Sequence, residues 1–102
     1  MIVRVWRGRT TRENADAYQE LLGTTILPGI DSVAGYRGAE LFRRDVGEEV
    51  EFMTVTRFDS LDAVREFAGD DYDQAVISDE AHGLLSSFDD RVALYELAFD
   101  DE

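Results

Sequence analysis

One histidine, no cysteine and ten basic residues, every one of them arginine, bound the chemistry open to this 102-residue chain. Thiol nucleophiles, disulfides and Cys-ligated zinc are excluded. His82 is the one side chain whose ordinary pKa lies near neutrality, so any proton transfer at pH 7 falls to it first. The competing reading makes Glu80-Ala81-His82-Gly83 a surface turn with an incidental histidine. Asp70-Asp71-Tyr72-Asp73 gathers carboxylates that suit a hard cation but lacks the ligand spacing of a calcium loop, so it reads as a solvated cluster at a helix start, and no metal is expected. Gly35-x-x-Gly38 lies on or beside an expected strand, where its glycines serve a bulge or close backbone approach rather than a phosphate. Arg4, Arg7 and Arg57 also fall within expected strands. A guanidinium buried there must find a carboxylate or an anionic ligand, and Glu40, Glu51 and Glu96 are the expected partners across the sheet. Trp6 and Tyr36 read as core or interface aromatics.

The elements that must position these residues follow from periodicity. Residues 1–9, MIVRVWRGR, alternate as a strand, with Met1, Val3 and Val5 on one face and Ile2, Arg4 and Trp6 on the other. Thr10 and Glu13 offer a capping box for a helix whose apolar stripe is Ala15, Tyr18, Leu21 and Leu22 and which ends at Gly23 or at Pro28-Gly29. Tyr36 to Arg44 and Val50 to Phe58 alternate as a hairpin. Ser60 caps a second helix, LDAVREFA, that stops at Gly69. Tyr72, Ala75 and Val76 suggest one or two short helical turns, Ser78 caps another leading to Leu84 and Leu85, and Arg91 to Leu97 is the last strand. The order βαββαβ is the ferredoxin-like arrangement, an α+β fold with a four-stranded antiparallel sheet and both helices on one face.

That count leaves one sheet face uncovered, yet both parities of the strands are apolar. Val3, Val5, Leu41, Met53 and Val55 form one set and Ile2, Trp6, Phe42, Phe52 and Phe58 the other. A wet face should be polar, so the second face needs a partner, most simply a second copy on a two-fold axis. The chain, of which 44% is hydrophobic, is long enough for one domain, residues 1–102, with 98–102 as an acidic tail expected to fray.

The 23 acidic residues bring the net charge to −13. A field of that sign repels phosphate backbones and anionic leaflets, so neither nucleic acid nor membrane is an expected partner. An acid-rich, lysine-free chain suits concentrated salt, where a screening length of about 3 Å at 1 M removes the self-repulsion. This suggests a halophile's cytoplasm, with a GC-rich genome as the other account of the missing lysine. Met1 to Arg12 lacks the apolar stretch of a signal peptide, and Leu21 to Ile30, the longest charge-free run, is too short and too broken by Gly23, Pro28 and Gly29 to span a bilayer. A cytoplasmic protein is expected.

MIVRVWRGRT with the helix after it, GYRGAELFRR, the hairpin into EFMTVTRFDSLDAVREFAGDDYDQAV and the closing VALYEL together resemble the antibiotic biosynthesis monooxygenase family, over nearly the whole chain. The resemblance implies two sheets closing face to face into a dimeric α/β barrel. In the oxygenase members, a pocket between sheet and helices holds an aromatic phenol or quinol that is deprotonated and reacts with O₂ without metal or flavin. Such a site needs an apolar enclosure, a base and a donor or cation for the oxyanion. Carried onto this chain, that implies His82 as base, Arg7 as anion stabiliser, Tyr18, Phe67 and Tyr72 as walls, a small aromatic or quinol metabolite as substrate, and no cofactor. Haem-degrading relatives place an Asn on the first strand, with a Trp and a His around one pocket. Here Arg7 stands at the Asn position, the one Asn is Asn14 in the first helix, and Trp6 has the opposite parity to Arg7, so haem degradation is disfavoured. The alternative from another class is a non-catalytic ligand-binding or stress-associated dimer of the same fold.

Overall fold

The computed structural model describes residues 1–101, so Glu102, the end of the expected tail, lies outside the described residues. Strand β1 (Ile2–Thr11) leads into α1 (Arg12–Leu21), the hairpin β2 (Tyr36–Val46) and β3 (Glu49–Phe58), α2 (Leu61–Ala68), α3 (Asp79–Leu84) and the short strands β4 (Ser87–Phe88) and β5 (Ala93–Glu96). The sheet is antiparallel in the order β2-β3-β1-β4, with β5 also on β1. The ferredoxin-like α+β expectation holds, with one difference. Its fourth lane is broken in two, because β4 pairs Gly8 and Arg9 whereas β5 pairs Ile2 to Val5. The break has a cause in Arg91 and Val92. Arg91 turns away to Asp71 and Asp73 and bridges Gln74, while the Val92 amide donates to the Asp73 carbonyl at 2.7 Å. The last strand is therefore Ala93–Glu96 rather than Arg91 to Leu97. The same lateral bonds replace the helical turns expected around Tyr72 with a turn and a bridge.

The first helix starts one residue later than the capping box implies. Thr11 accepts the Asn14 amide at 3.2 Å, while Thr10 stays in the ladder opposite Val50, fully buried. Strand pairing takes Thr10 from the cap, and with Thr11 as N-cap the third helical position is Asn14, so the reciprocal glutamate is lost. α1 runs on through a π-helical turn over Leu22–Ile26 and a 3₁₀ turn over Pro28–Ser32, carrying the expected stripe past Gly23. α2 has the expected bounds, with Ser60 accepting the Ala63 amide at 3.3 Å and Gly69 ending it at φ 84°.

Gly35 and Gly38 serve backbone geometry, as their place by a strand suggested. Gly35 has φ 86°, and a Cβ there would sit 2.7 Å from that of Ala63. Gly38, at φ 118°, closes a bulge between Tyr36 and Gly38 that turns the rest of β2 over. Leu41 consequently faces the helices opposite Thr54, and Phe42 faces outward opposite Met53. This reverses the two faces expected for that pair. Under the helices the core falls into two clusters: Ala15, Tyr18, Leu22, Val50, Phe52 and Ala81 make one, and Ile30, Phe58, Ala63 and Val64 the other.

Candidate functional site

The gap between the two clusters is a cavity. Tyr18, Leu22 and Ala81 of the first and Ile30 of the second line it, Phe67 of α2 closes one side, and Arg4, Trp6, Thr54 and Thr56 form its floor on β1 and β3. Its roof is the strap Ala75 to Ser78, which has no regular secondary structure and leaves Val76 55% exposed. The cavity is partly open to solvent, and its volume is about 60 Å³. That is room for about two waters at ~30 Å³ each, well below the roughly 150 Å³ that accepts benzene. A ring can enter only if a wall moves, and the strap is the wall with the least holding it.

Arg4 is the one charged group in this lining. Strand alternation puts it on the floor with Trp6, and it is 6% exposed. One Nη donates to the carbonyls of Gln74 at 3.0 Å and Tyr72 at 3.4 Å, and the guanidinium carbon lies 5.2 Å from the Phe67 ring centre. Its Nε–H is buried and donates to nothing among the described residues. Among those residues no carboxylate comes within ion-pair distance of it. Burial draws the guanidinium down to about 10, partly offset by Asp73, so it is charged at neutral pH. Burial pushes the Tyr18 phenol up to about 12, with Thr54 opposing, so Tyr18 is a neutral hydroxyl and not a base. Trp6 donates its indole N–H to the Asp89 carbonyl at 2.8 Å, which fixes the ring against the β4 end of the floor.

Of the residues expected at the site, the cavity brings together Tyr18 and Phe67. Tyr72 lies behind the wall, its ring 5.4 Å from the Arg65 guanidinium and its carbonyl on Arg4. His82 stands on the exposed side of α3 with its ring 5.5 Å from Phe88, while the preceding residue, Ala81, faces the cavity. Arg7 is on the opposite face of the sheet, across from Met53 and beside Phe42, Arg44 and Glu51. Arg57 and Glu40 pair with each other, and Arg9 and Arg44 share Glu51. The residues not foreseen at the cavity are Arg4 as its cation and Trp6 as its floor. Their shared parity with Ile2 was the available signal. Among the described residues, no three His, Cys, Asp or Glu side chains gather as a metal site, and no helix is long and apolar enough to cross a membrane.

The two buried groups make opposite contributions above pH 10. Unfolded, Tyr18 ionises near 10 and folded near 12, so its stabilising effect is complete below pH 10 and lost as the pH climbs toward 12. Arg4 does the reverse, because burial lowers its folded-state pKa to about 10, below that of the unfolded chain. With no lysine in the chain, little else of basic character titrates there. Relative to wild type between pH 9 and 12, urea unfolding of Tyr18→Phe should show a gain of about 2 kcal/mol, and Arg4→Met should move in the opposite direction. Parallel pH profiles for the two variants would contradict this assignment.

The antibiotic biosynthesis monooxygenase family model matches residues 1–78. Solved structures with the same fold include a protein of Deinococcus radiodurans provisionally named an antibiotic biosynthesis monooxygenase, with 16% identity, TM-score 0.72 and 100% and 97% of the two chains covered. A similarly named protein of Bacillus cereus has 13% identity, TM-score 0.69 and coverage of 99% and 96%. MhuD of Mycobacterium tuberculosis, a haem degrader solved with two haems in its active site, has 17% identity, TM-score 0.66 and coverage of 100% of both chains. No functionally curated protein matches the sequence.

Proposed function

The chain belongs to the antibiotic biosynthesis monooxygenase family, and from that premise we propose that it oxidises a small aromatic or quinol metabolite in the cavity between sheet and helices, with O₂ and without a cofactor. The observation that carries this reading is the cavity itself. It is apolar, roofed by a strap, and sits where the two core clusters fail to meet. Converting a phenol to a quinone takes one O₂ per molecule, puts one oxygen on the ring and releases the other as water, so all the electrons come from the substrate. Trp6 is the one tryptophan in the chain and lines the cavity, so its emission reports occupancy.

The test is an oxygen electrode with a panel of phenols and quinols in molar salt, restricted to compounds that quench Trp6. Uptake of one O₂ per substrate without hydrogen peroxide is expected. No uptake with any compound that binds would favour the second reading, a non-catalytic ligand-binding dimer, for which the specific observation is a lining with no carboxylate or imidazole. Against haem as the ligand stands the position of His82 outside the cavity.

The reading includes a homodimer in a salt-rich cytoplasm. Support for the dimer comes from the uncovered sheet face, where Val3, Val5, Met53 and Val55 sit at the centre, with Phe42 50% and Tyr95 59% exposed. Support for the salt comes from the net charge of −13 with no lysine.

A further inference from the structure

A buried guanidinium is costly unless its donors are met. Arg4 meets that condition only in part, since its contacts are two neutral carbonyls and an aromatic face, and its buried Nε–H has no partner among the described residues. Three other strand arginines show what a settled arginine looks like in this protein. Arg57 has Glu40, and Arg9 and Arg44 have Glu51. Arg4 is also the one that lines the cavity.

From this we infer that the cavity takes its ligand as an oxyanion, that Arg4 is the residue that recognises it, and that the ligand is ionised there by Arg4's charge rather than by a protein base. The inference rests on the cavity being the ligand site. The groups packed around Arg4 leave no other candidate for the proton. β3 offers Thr56, β5 offers Leu94, α2 offers Phe67 and α1 offers Tyr18, whose phenol holds its own proton. Asp73, the one carboxylate that acts on Arg4, is itself paired with Arg91. A phenol bound here therefore loses its O–H proton to solvent, and the oxyanion that remains is the electron-rich form. The ligand class this selects is a single-ring acidic phenol or a similarly sized monoanion. Neutral rings of the same shape gain the apolar walls but nothing from the charge of Arg4.

The sign of one measurable shift tests this. Burial alone raises the pKa of an acid, and a cation within about 4–6 Å lowers it by roughly one unit or more. 4-Nitrophenol absorbs in the visible only when ionised, so its titration can be followed in saturating protein, with Trp6 quenching to establish that it is bound. Wild type is expected to lower its pKa by about one unit, Arg4→Lys to lower it as well, and Arg4→Met to raise it above the free value. An Arg4 that served only to hold the strap would leave the sign unchanged in the folded Arg4→Met variant. A raised pKa in wild type overturns the inference on its own, whatever the variants do, and leaves the cavity as a binding site for neutral ligands. No quenching of Trp6 by 4-nitrophenol or by its neutral methyl ether removes the cavity reading, and the inference with it.

Discussion

Phe58→Ala should cost about 3–5 kcal/mol, measured by urea unfolding at neutral pH, against a total that for a domain of this size is on the order of 5–15 kcal/mol. Phe58 is wholly buried. Its ring stacks on Phe67 at 5.7 Å and meets the edge of Tyr36 at 5.6 Å, and its backbone pairs with both Ile2 and Tyr36 at the centre of the sheet. Its fully buried neighbours are Ile30, Ala63 and Val64, and the larger side chains packed around them, such as Leu27 and Tyr36, are only partly buried, so collapse can fill the space in part at most. Removing the ring also takes away the backing of Phe67, one wall of the cavity and the surface on which Arg4 lies. The same substitution should therefore weaken ligand binding in whatever fraction stays folded. Phe58→Leu keeps most of the volume, and a cost above about 2 kcal/mol for it would mean that ring stacking, not space filling, holds this cluster.

The residues that the structure places differently from the sequence expectation share one physical cause. Alternation says which residues of a strand share a face, but not which face meets the helices, and here both faces are apolar. Ile2, Arg4 and Trp6 do share a face, as their alternation predicts. Only the packing of α1 and α2 decides that theirs is the inner face, and this is what moves the cation of the cavity from Arg7 to Arg4. In β2 the information was local but unread, since a bulge next to Gly38 is enough to exchange Leu41 with Phe42. Where a single signal governs, as with Ser60 and Gly69 around α2, the element stands where the residues put it. The stretch from Asp70 to Val92 was the least legible. Its structure rests on bonds to distant partners, Arg4 to the Gln74 carbonyl and Arg91 to Asp71 and Asp73, and local periodicity carries none of them.

Val55→Arg should turn the proposed dimer into a monomer. On the outer face Val55 lies between Glu40 and Val5, with Ala93 beyond, in the row flanked by Phe42-Met53 on one side and Val3-Tyr95 on the other. The face is well suited to a second copy despite the net charge of −13 on each chain. Its own charges are mixed, with Arg7, Arg9, Arg44 and Arg57 set against Glu40, Glu49 and Glu51, so most of the acid excess lies elsewhere. The described chain also exposes 6430 Å², about a tenth more than the roughly 5,800 Å² of a compact monomer of this mass. In a two-fold interface one substitution acts twice. Two added arginines at one apolar interface, each with only Glu40 in reach and that carboxylate already paired with Arg57, should raise the dissociation constant by on the order of 10³-fold. Val55 is not part of either cluster under the helices, so the variant should keep its circular dichroism and its Trp6 emission. Sedimentation equilibrium in molar salt, where repulsion between the two acidic chains is screened, reads both outcomes. A monomeric wild type would refute the dimer. A variant that remains dimeric would mean that the copies meet through some other surface and that the apolar outer face is covered by something else.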